Sequence, residues 1–189
     1  MRTTLAYDRT MPQALMTAED FLHTDVPDKR TELVRGVLVV HEPPGFRHGE
    51  VMARIAYRLM VYVEAHDLGT VLAGDAGFVL ARGPDTVRGP DVAFVRRNRV
   101  PTPGPLGFPD LAPDLAVEVL SPSNRPGEVL ARIADLIRGG CPLIWVIDPS
   151  RRLACVYRAD GSESVVSADG ALDGEDVLPG FACPVAAIL

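Results

Sequence analysis

The chain has 189 residues, of which 47% are hydrophobic, and this is enough to build one domain with a full apolar core. No stretch has the apolar length of a membrane span, and charged residues interrupt residues 1–15, so we expect neither a membrane anchor nor a signal peptide. The net charge of -6 argues against non-specific binding of nucleic acid by the whole surface, and the three scattered cysteines exclude a disulfide framework. We expect a single cytoplasmic domain over residues 1–189, in which the first ~15 residues form a loose arm.

The first part of the chain predicts a short helix, a hairpin and a long helix. Thr17 is followed by two acidic residues, which is typical of a helix N-terminus. Residues 31–41 predict two short strands around a turn at Arg35-Gly36. Apolar residues then recur at helical spacing over residues 48–66, so this segment predicts a long helix.

The remaining segments predict a sheet with one crossover helix. Strands are predicted at residues 71–73, 77–80, 92–95, 114–121, 143–147, 153–158 and 164–167, with a helix at 127–138 and a long irregular loop at 100–113. The order strand, helix, apolar strand over residues 114–147 indicates a right-handed crossover between parallel strands.

Two acidic residues lie in or beside predicted apolar strands. Glu118 is in the middle of the run 114–121, where an ionised carboxylate is costly to bury unless a cation, a hydrogen-bond donor or a proton compensates it. Asp91 follows Pro90 and directly precedes the strand at 92–95. Two acids on neighbouring strands supply the oxygen ligands that a hard divalent cation prefers, so the pair predicts a metal site.

Pro90-Asp91 and the later Glu118 resemble the motif of the PD-(D/E)XK nuclease superfamily. Further segments in matching order make the chain similar to the Uma-type putative restriction endonucleases of that superfamily: Glu32-Leu33-Val34-Arg35-Gly36, the helix from His48, Arg88 to Val92, Glu118 to Ser123, and Leu143 to Pro149. The likeness covers roughly residues 15–185. It implies an α/β fold with a restriction-endonuclease-like core, in which helices flank a mixed β-sheet and one helix makes the crossover.

The resemblance also implies a site and an activity. By it, Asp91 and Glu118 hold a magnesium or manganese ion, the backbone carbonyl of Val119 is a further ligand, and Glu32 supports the metal or its water. The implied activity is hydrolysis of DNA phosphodiester bonds. A homodimer is compatible with it, because two sites related by a twofold axis are the simplest way to cut two strands.

The chain departs from the superfamily motif at the lysine. The lysine position falls on Leu120, which is apolar and cannot assist a nucleophile. In the Uma-type branch the lysine lies on the following helix, where this chain has Arg132. Arginine stabilises a phosphate but is a poor proton acceptor, so we assign Arg132 the first role. Of the 19 lysines and arginines only Lys29 is a lysine, and it is predicted in a turn.

Each of these residues also has a structural interpretation, which the sequence leaves open. Asp91 could cap a turn, Glu118 could pair with Arg88 or Arg132, and Glu32 could be exposed to solvent. His48 is either a metal ligand or general base, or a residue at the start of a helix with no such role. The alternatives to an endonuclease are an inactive nuclease fold that binds nucleic acid and an interaction module.

Overall fold

The computed structural model describes residues 15–27, 29–102, 104 and 106–189. The helices are α1 (Ala18–Leu22), α2 (Phe46–Ala65) and α3 (Pro126–Arg138). The strands are β1 (Arg30–Val34), β2 (Val37–His41), β3 (Gly69–Ala73), β4 (Phe78–Ala81), β5 (Thr86–Arg88), β6 (Val92–Arg96), β7 (Leu115–Val119), β8 (Leu143–Asp148), β9 (Leu153–Arg158), β10 (Glu163–Ser167), β11 (Ala171–Asp173) and β12 (Ala182–Pro184). The predicted N-terminal arm falls mostly on residues 1–14, which lie outside the described residues.

The strands form three sheets. The largest has the order β10-β9-β8-β7-β6-β3, the second has the order β2-β1-β5-β4, and β11 pairs with β12. Strands β7 and β8 are parallel and α3 connects them, whereas β6 and β9 pair with them in antiparallel fashion. The six-stranded sheet is therefore mixed, and the predicted parallel pair with its connecting helix is confirmed.

Helices α2 and α3 cover opposite faces of the six-stranded sheet. Side chains alternate between these faces along each strand, so neighbouring residues of one strand pack against different helices. On β7, Val117 and Val119 belong to the core under α2, whereas Ala116 packs with Ile133 of α3. Glu118 alternates with Val117 and Val119, so its side chain lies on the α3 face of the sheet. We call these two sides the α2 face and the α3 face.

The four-stranded sheet packs beside the six-stranded sheet. Phe78 of β4 lies in one apolar cluster with Ala93 and Val95 of β6. On β1, Leu33 packs under α1, so Glu32 points to the opposite side of the four-stranded sheet. Within the described ranges, no helix has both the length and the apolar character needed to cross a bilayer.

The predicted elements agree with the structure apart from their ends, and three short strands are additional. Thr17 caps α1 through a capping box with Asp20. In the β1–β2 hairpin Arg35 and Gly36 have φ values of 50° and 74°, and two positive φ angles are what a type I′ turn requires. The sequence patterns miss β5, β11 and β12 because three residues are too few to show an alternating pattern.

Candidate active site

Asp91 and Glu118 face each other on neighbouring strands. The antiparallel register between β6 and β7 pairs Val92 with Val117, and this places Asp91, directly before β6, opposite Glu118. Both carboxylates are buried, with 2% and 7% exposure. The fold therefore brings together the two acids that the sequence singled out, at the end of the β6–β7 pairing inside the six-stranded sheet.

Asp91 ties three elements together. Its Oδ2 atom accepts a hydrogen bond of 2.7 Å from the backbone N–H of Val119 and lies 3.1 Å from Nε2 of His48, near the start of α2. Its Oδ1 atom lies 3.3 Å from a guanidinium nitrogen of Arg30 on β1. Asp91 therefore does more than cap a turn, and His48 is a buried partner of the candidate site.

Glu118 is paired with Arg132 of α3. One guanidinium nitrogen, Nη1, donates to both carboxylate oxygens of Glu118 at 3.3 and 3.1 Å. Burial raises the pKa of Glu118 above its ordinary range, and Arg132 opposes this shift. The negative charges of Asp91 and Glu32 add to the rise. Arg132 therefore does not fully offset the cost of ionising Glu118 in this buried position.

Glu32 of β1 is held by donors on both of its oxygens. Oε1 accepts from the backbone N–H of Gly89 at 3.0 Å. Oε2 accepts from Arg132 at 2.7 Å and from Arg88 at 2.9 Å, and lies 3.1 Å from Nε2 of His41. Burial raises the pKa of Glu32, but the hydrogen bond from His41 and the charges of Arg132 and Arg88 outweigh it and lower the pKa to about 2. The alternative in which Glu32 is exposed is wrong.

Each arginine of the site bridges two carboxylates. Arg132 links Glu118 to Glu32, as described above. Arg88, which is 6% exposed, links Glu32 to Asp135 of α3 through a bond of 2.6 Å to the latter. Arg30 pairs with both Asp91 and Asp75. The site is thus a network of alternating acids and arginines, which we call the ionic network.

All five residues that the sequence assigned to the site belong to this cluster or adjoin it: Asp91, Glu118, Arg132, Glu32 and Val119. The contact of Val119 is made by its N–H group, and its carbonyl as a metal ligand stays a prediction. Glu118 pairs with Arg132, as one structural interpretation anticipated. Lys29, the single lysine of the chain, pairs with Glu42, which follows β2.

Sequence reasoning missed four members of the ionic network: Arg30, His41, Asp75 and Asp135. It also did not predict that Arg88 pairs with Glu32 and Asp135. Two local signals point to some of them. Arg30 and Glu32 are two apart on β1 and so share a face of the strand, and Arg132 and Asp135 are three apart on α3 and so share a face of the helix.

The donor chemistry at Asp91 and Glu118 fits a divalent cation. Carboxylate oxygens are the ligands that magnesium and manganese prefer, and a buried carboxylate with a raised pKa is one that a further positive charge would stabilise. Among the described residues, no group of three or more histidines, cysteines or acids is arranged as a metal cluster. A cation at this site would therefore rely on Asp91 and Glu118, with Arg132 as its neighbour.

No curated protein matches the chain. A crystal structure of a putative nuclease belonging to DUF820 from Anabaena variabilis is similar, with a TM-score of 0.79 and 19% sequence identity over 92% of this chain and 97% of that chain. At this identity the likeness shows a shared fold, which confirms the expected fold class. The family model Uma2, described as a putative restriction endonuclease, matches residues 18–186. Because that match spans most of the sequence, the chain belongs to the Uma2 putative restriction endonuclease family.

Proposed function

We propose that this protein is a magnesium- or manganese-dependent endonuclease that hydrolyses DNA phosphodiester bonds, as one cytoplasmic domain over residues 1–189. The observation that supports this most is the placement of two buried carboxylates, Asp91 and Glu118, opposite each other where β6 and β7 pair. Membership of the Uma2 family supports the same reaction class.

The residues divide into holding and stabilising roles. Asp91 and Glu118 would hold the cation, with the carbonyl of Val119 as a further ligand. When bound, such a cation supplies charge neutralisation for the attacked phosphate and activation of water. The N–H of Val119 and the ring of His48 fix the carboxylate of Asp91, so its orientation is set before any ligand arrives.

Arg132 would stabilise the negative charge that develops on the phosphate. It carries a permanent charge at the centre of the site and is only 14% exposed along its side chain, so water screens it weakly. Glu32 contacts this guanidinium at 2.7 Å, and we propose that it positions both Arg132 and the metal or its water. Since arginine keeps its proton, Arg132 is assigned no part in proton transfer.

The test is cleavage of supercoiled plasmid and of single-stranded DNA with Mg²⁺, with Mn²⁺ or with a chelator. Asp91→Asn and Glu118→Gln should each abolish cleavage, because a neutral amide binds a divalent cation far less well than a carboxylate. Asp114→Asn is the matched control: Asp114 is also buried beside β7, but its partners are Arg96 and Arg99, away from the site. Circular dichroism confirms that each variant is folded.

Metal-dependent cleavage that survives in Asp114→Asn and is lost in both site variants would support the proposal and exclude a contaminating nuclease. Equal activity in wild type and Asp91→Asn would contradict it. A second readout is the melting temperature, which Mn²⁺ should raise in wild type and leave unchanged in Glu118→Gln, because the cation binds only the intact site.

Two observations favour a second function, a nuclease fold that binds nucleic acid without cutting it. Leu120 occupies the motif's lysine position, and Arg132 already neutralises part of the charge that a metal would meet. Cleavage by Arg132→Lys but not by wild type would identify such a dormant site. If wild type, Arg132→Lys and Asp91→Asn all fail to cleave DNA, a binding or scaffold role would be favoured.

We propose a homodimer as the active form on duplex DNA, because two strands require two cuts. Size-exclusion chromatography with light scattering measures the mass in solution. A monomer that nicks one strand at a time would contradict this part of the proposal.

A further inference from the structure

A large cavity adjoins the ionic network at the carboxyl ends of the parallel strands β7 and β8. Its volume is ≈ 810 Å³, within the range of pockets that hold small organic ligands. His48 and Leu120 lie in its wall, and these residues touch or closely follow Asp91 and Glu118. Ligands of α/β proteins commonly bind beyond the carboxyl ends of parallel strands, so the position itself favours a binding site.

The walls of the cavity are mostly apolar and include the rings of Tyr157 and Phe46. Val146 and Tyr157 come from the α3 face of the sheet, and Leu130 comes from α3. Phe46 stands at the start of α2 with 89% of its surface exposed. A single exposed aromatic residue is ordinary on a protein surface, but an exposed ring beside an apolar cavity offers a flat face on which a nucleobase can stack.

Two helix N-termini meet the same cavity. Gly45 to His48 begin α2, and Asn124 and Pro126 flank the start of α3. No side chain caps either helix start. The first backbone N–H groups of α2 are available to an anion, whereas α3 begins with Pro126, which has no N–H, and offers mainly the positive end of its dipole. Phosphate is the usual occupant of such positions.

Further polar groups strengthen the case for a ligand. Nδ1 of His48 is buried and, within the part of the chain that the structure describes, has no hydrogen-bond partner. Arg151 lies in the wall with an exposed side chain, and so does Arg47, which pairs with Glu50 at 2.6 Å. The nearby carboxylate of Asp148 already accepts from both N–H and hydroxyl of Ser150 and from the N–H of Arg151, so it is engaged within its own turn.

We infer that this cavity binds one unpaired DNA nucleotide next to the cleaved bond, with its phosphate at the two helix starts and its base against the apolar walls. This inference rests on the proposed nuclease function and adds a substrate preference to it. A base inside a perfect duplex must leave its stack to enter such a cavity, whereas a base in a single strand or a bulge is already free. The protein therefore prefers DNA with unpaired nucleotides.

The first test is binding without cleavage. Fluorescence anisotropy in a chelator measures Kd for a labelled single strand of about 12 nucleotides, for its perfect duplex, and for the same duplex with one bulged nucleotide. We expect the single strand and the bulged duplex to bind about tenfold more tightly than the perfect duplex. Equal Kd values for all three would overturn the inference.

Matched variants locate the site. Phe46→Ala should raise Kd for the single strand about fivefold or more, since it removes a stacking surface. Tyr57→Ala is the control, because Tyr57 is an exposed aromatic residue on the same helix outside the cavity wall. Arg151→Gln should also weaken binding, with the neighbouring Arg152→Gln as its control. Leu130→Trp, which fills the cavity from an exposed position, should weaken binding as Phe46→Ala does.

Cleavage with Mn²⁺ separates the two proposals. If wild type cuts a perfect duplex as fast as the bulged one, the inference fails and the nuclease function stands. If wild type cuts nothing, the nuclease function fails, and the binding series decides the inference by itself. Phe46→Ala and Tyr57→Ala with equal Kd values would overturn the inference whether or not the protein cuts DNA.

Discussion

The α2 face and the α3 face of the six-stranded sheet differ in the side chains that they bury. The α2 face is a continuous apolar core, with Val117 and Trp145 fully buried beneath α2 and the C-terminal segment. The α3 face is apolar over part of its area and carries Glu118 and the ionic network at one end. Because apolar burial stabilises a fold without directional demands, the α2 face can hold the domain together while the α3 face keeps charges in place.

The largest expected effect concerns the α2 face. Phe94→Ala removes a fully buried ring from that core and should lower the free energy of unfolding by about 3–5 kcal/mol, from lost burial and the cavity left behind. Urea unfolding followed by circular dichroism measures the change. Tyr57→Ala, on the exposed side of α2, should change the free energy by less than ~0.5 kcal/mol. Similar values for both variants would contradict the division between the faces.

A smaller loss is expected on the charged side. Arg88→Met should lower the free energy of unfolding by about 3 kcal/mol, because it removes a buried cation between Glu32 and Asp135. Adding Glu32→Leu should recover part of that loss, since it removes one of the two buried carboxylates that Arg88 had neutralised and leaves Arg132 paired with Glu118. Urea unfolding of the single and double variants gives both values. No recovery in the double variant would contradict an electrostatic coupling between Arg88 and Glu32.

The next prediction is that the free energy of unfolding decreases as pH rises, because of Glu118 on the α3 face. Burial, together with Asp91 and Glu32, raises the pKa of Glu118 from 4.5 to about 8 against the effect of Arg132. Between these values the folded state holds a proton that the unfolded state has lost, so stability falls as pH rises, by at most about 1.4 kcal/mol per pH unit. Urea unfolding at several pH values measures this slope. Burial also raises the pKa of Asp75 to about 6, so its contribution ends near that pH. Glu118→Gln should therefore flatten the slope between about pH 6 and pH 8, and an unchanged slope there would assign it to another group.

The smallest effect is expected at the surface. Lys29→Ala removes an ion pair with Glu42, whose side chain is 77% exposed, and should change the free energy of unfolding by less than ~0.5 kcal/mol. DNA cleavage by this variant should equal that of wild type, because Lys29 pairs away from the ionic network. A large loss of cleavage would make Lys29 a candidate for the role of the motif's lysine.

The sequence predicts the elements of this fold better than it predicts their charged contacts. Strand β8 and helix α2 follow from local periodicity, and Asp91 and Glu118 are visible because carboxylates beside apolar strands are unusual. The choice of arginine partners is different. Arg132 and Glu32 lie 100 residues apart, and Arg88 and Glu32 lie 56 apart. Several arginines could reach each acid in principle, so only the packing of the two larger sheets selects the pairs.

The ionic network joins residues of the two larger sheets, and this affects which part of the protein can unfold locally. Glu32 and Arg88 come from the four-stranded sheet, whereas Glu118 and Arg132 come from one strand and helix of the six-stranded sheet. Separation of the two sheets would leave the core under α2 folded and would detach Glu32 from Arg132. Hydrogen exchange of the β1 amides would then occur before global unfolding, and the integrity of the site would report on the docking of the two sheets rather than on the stability of the core.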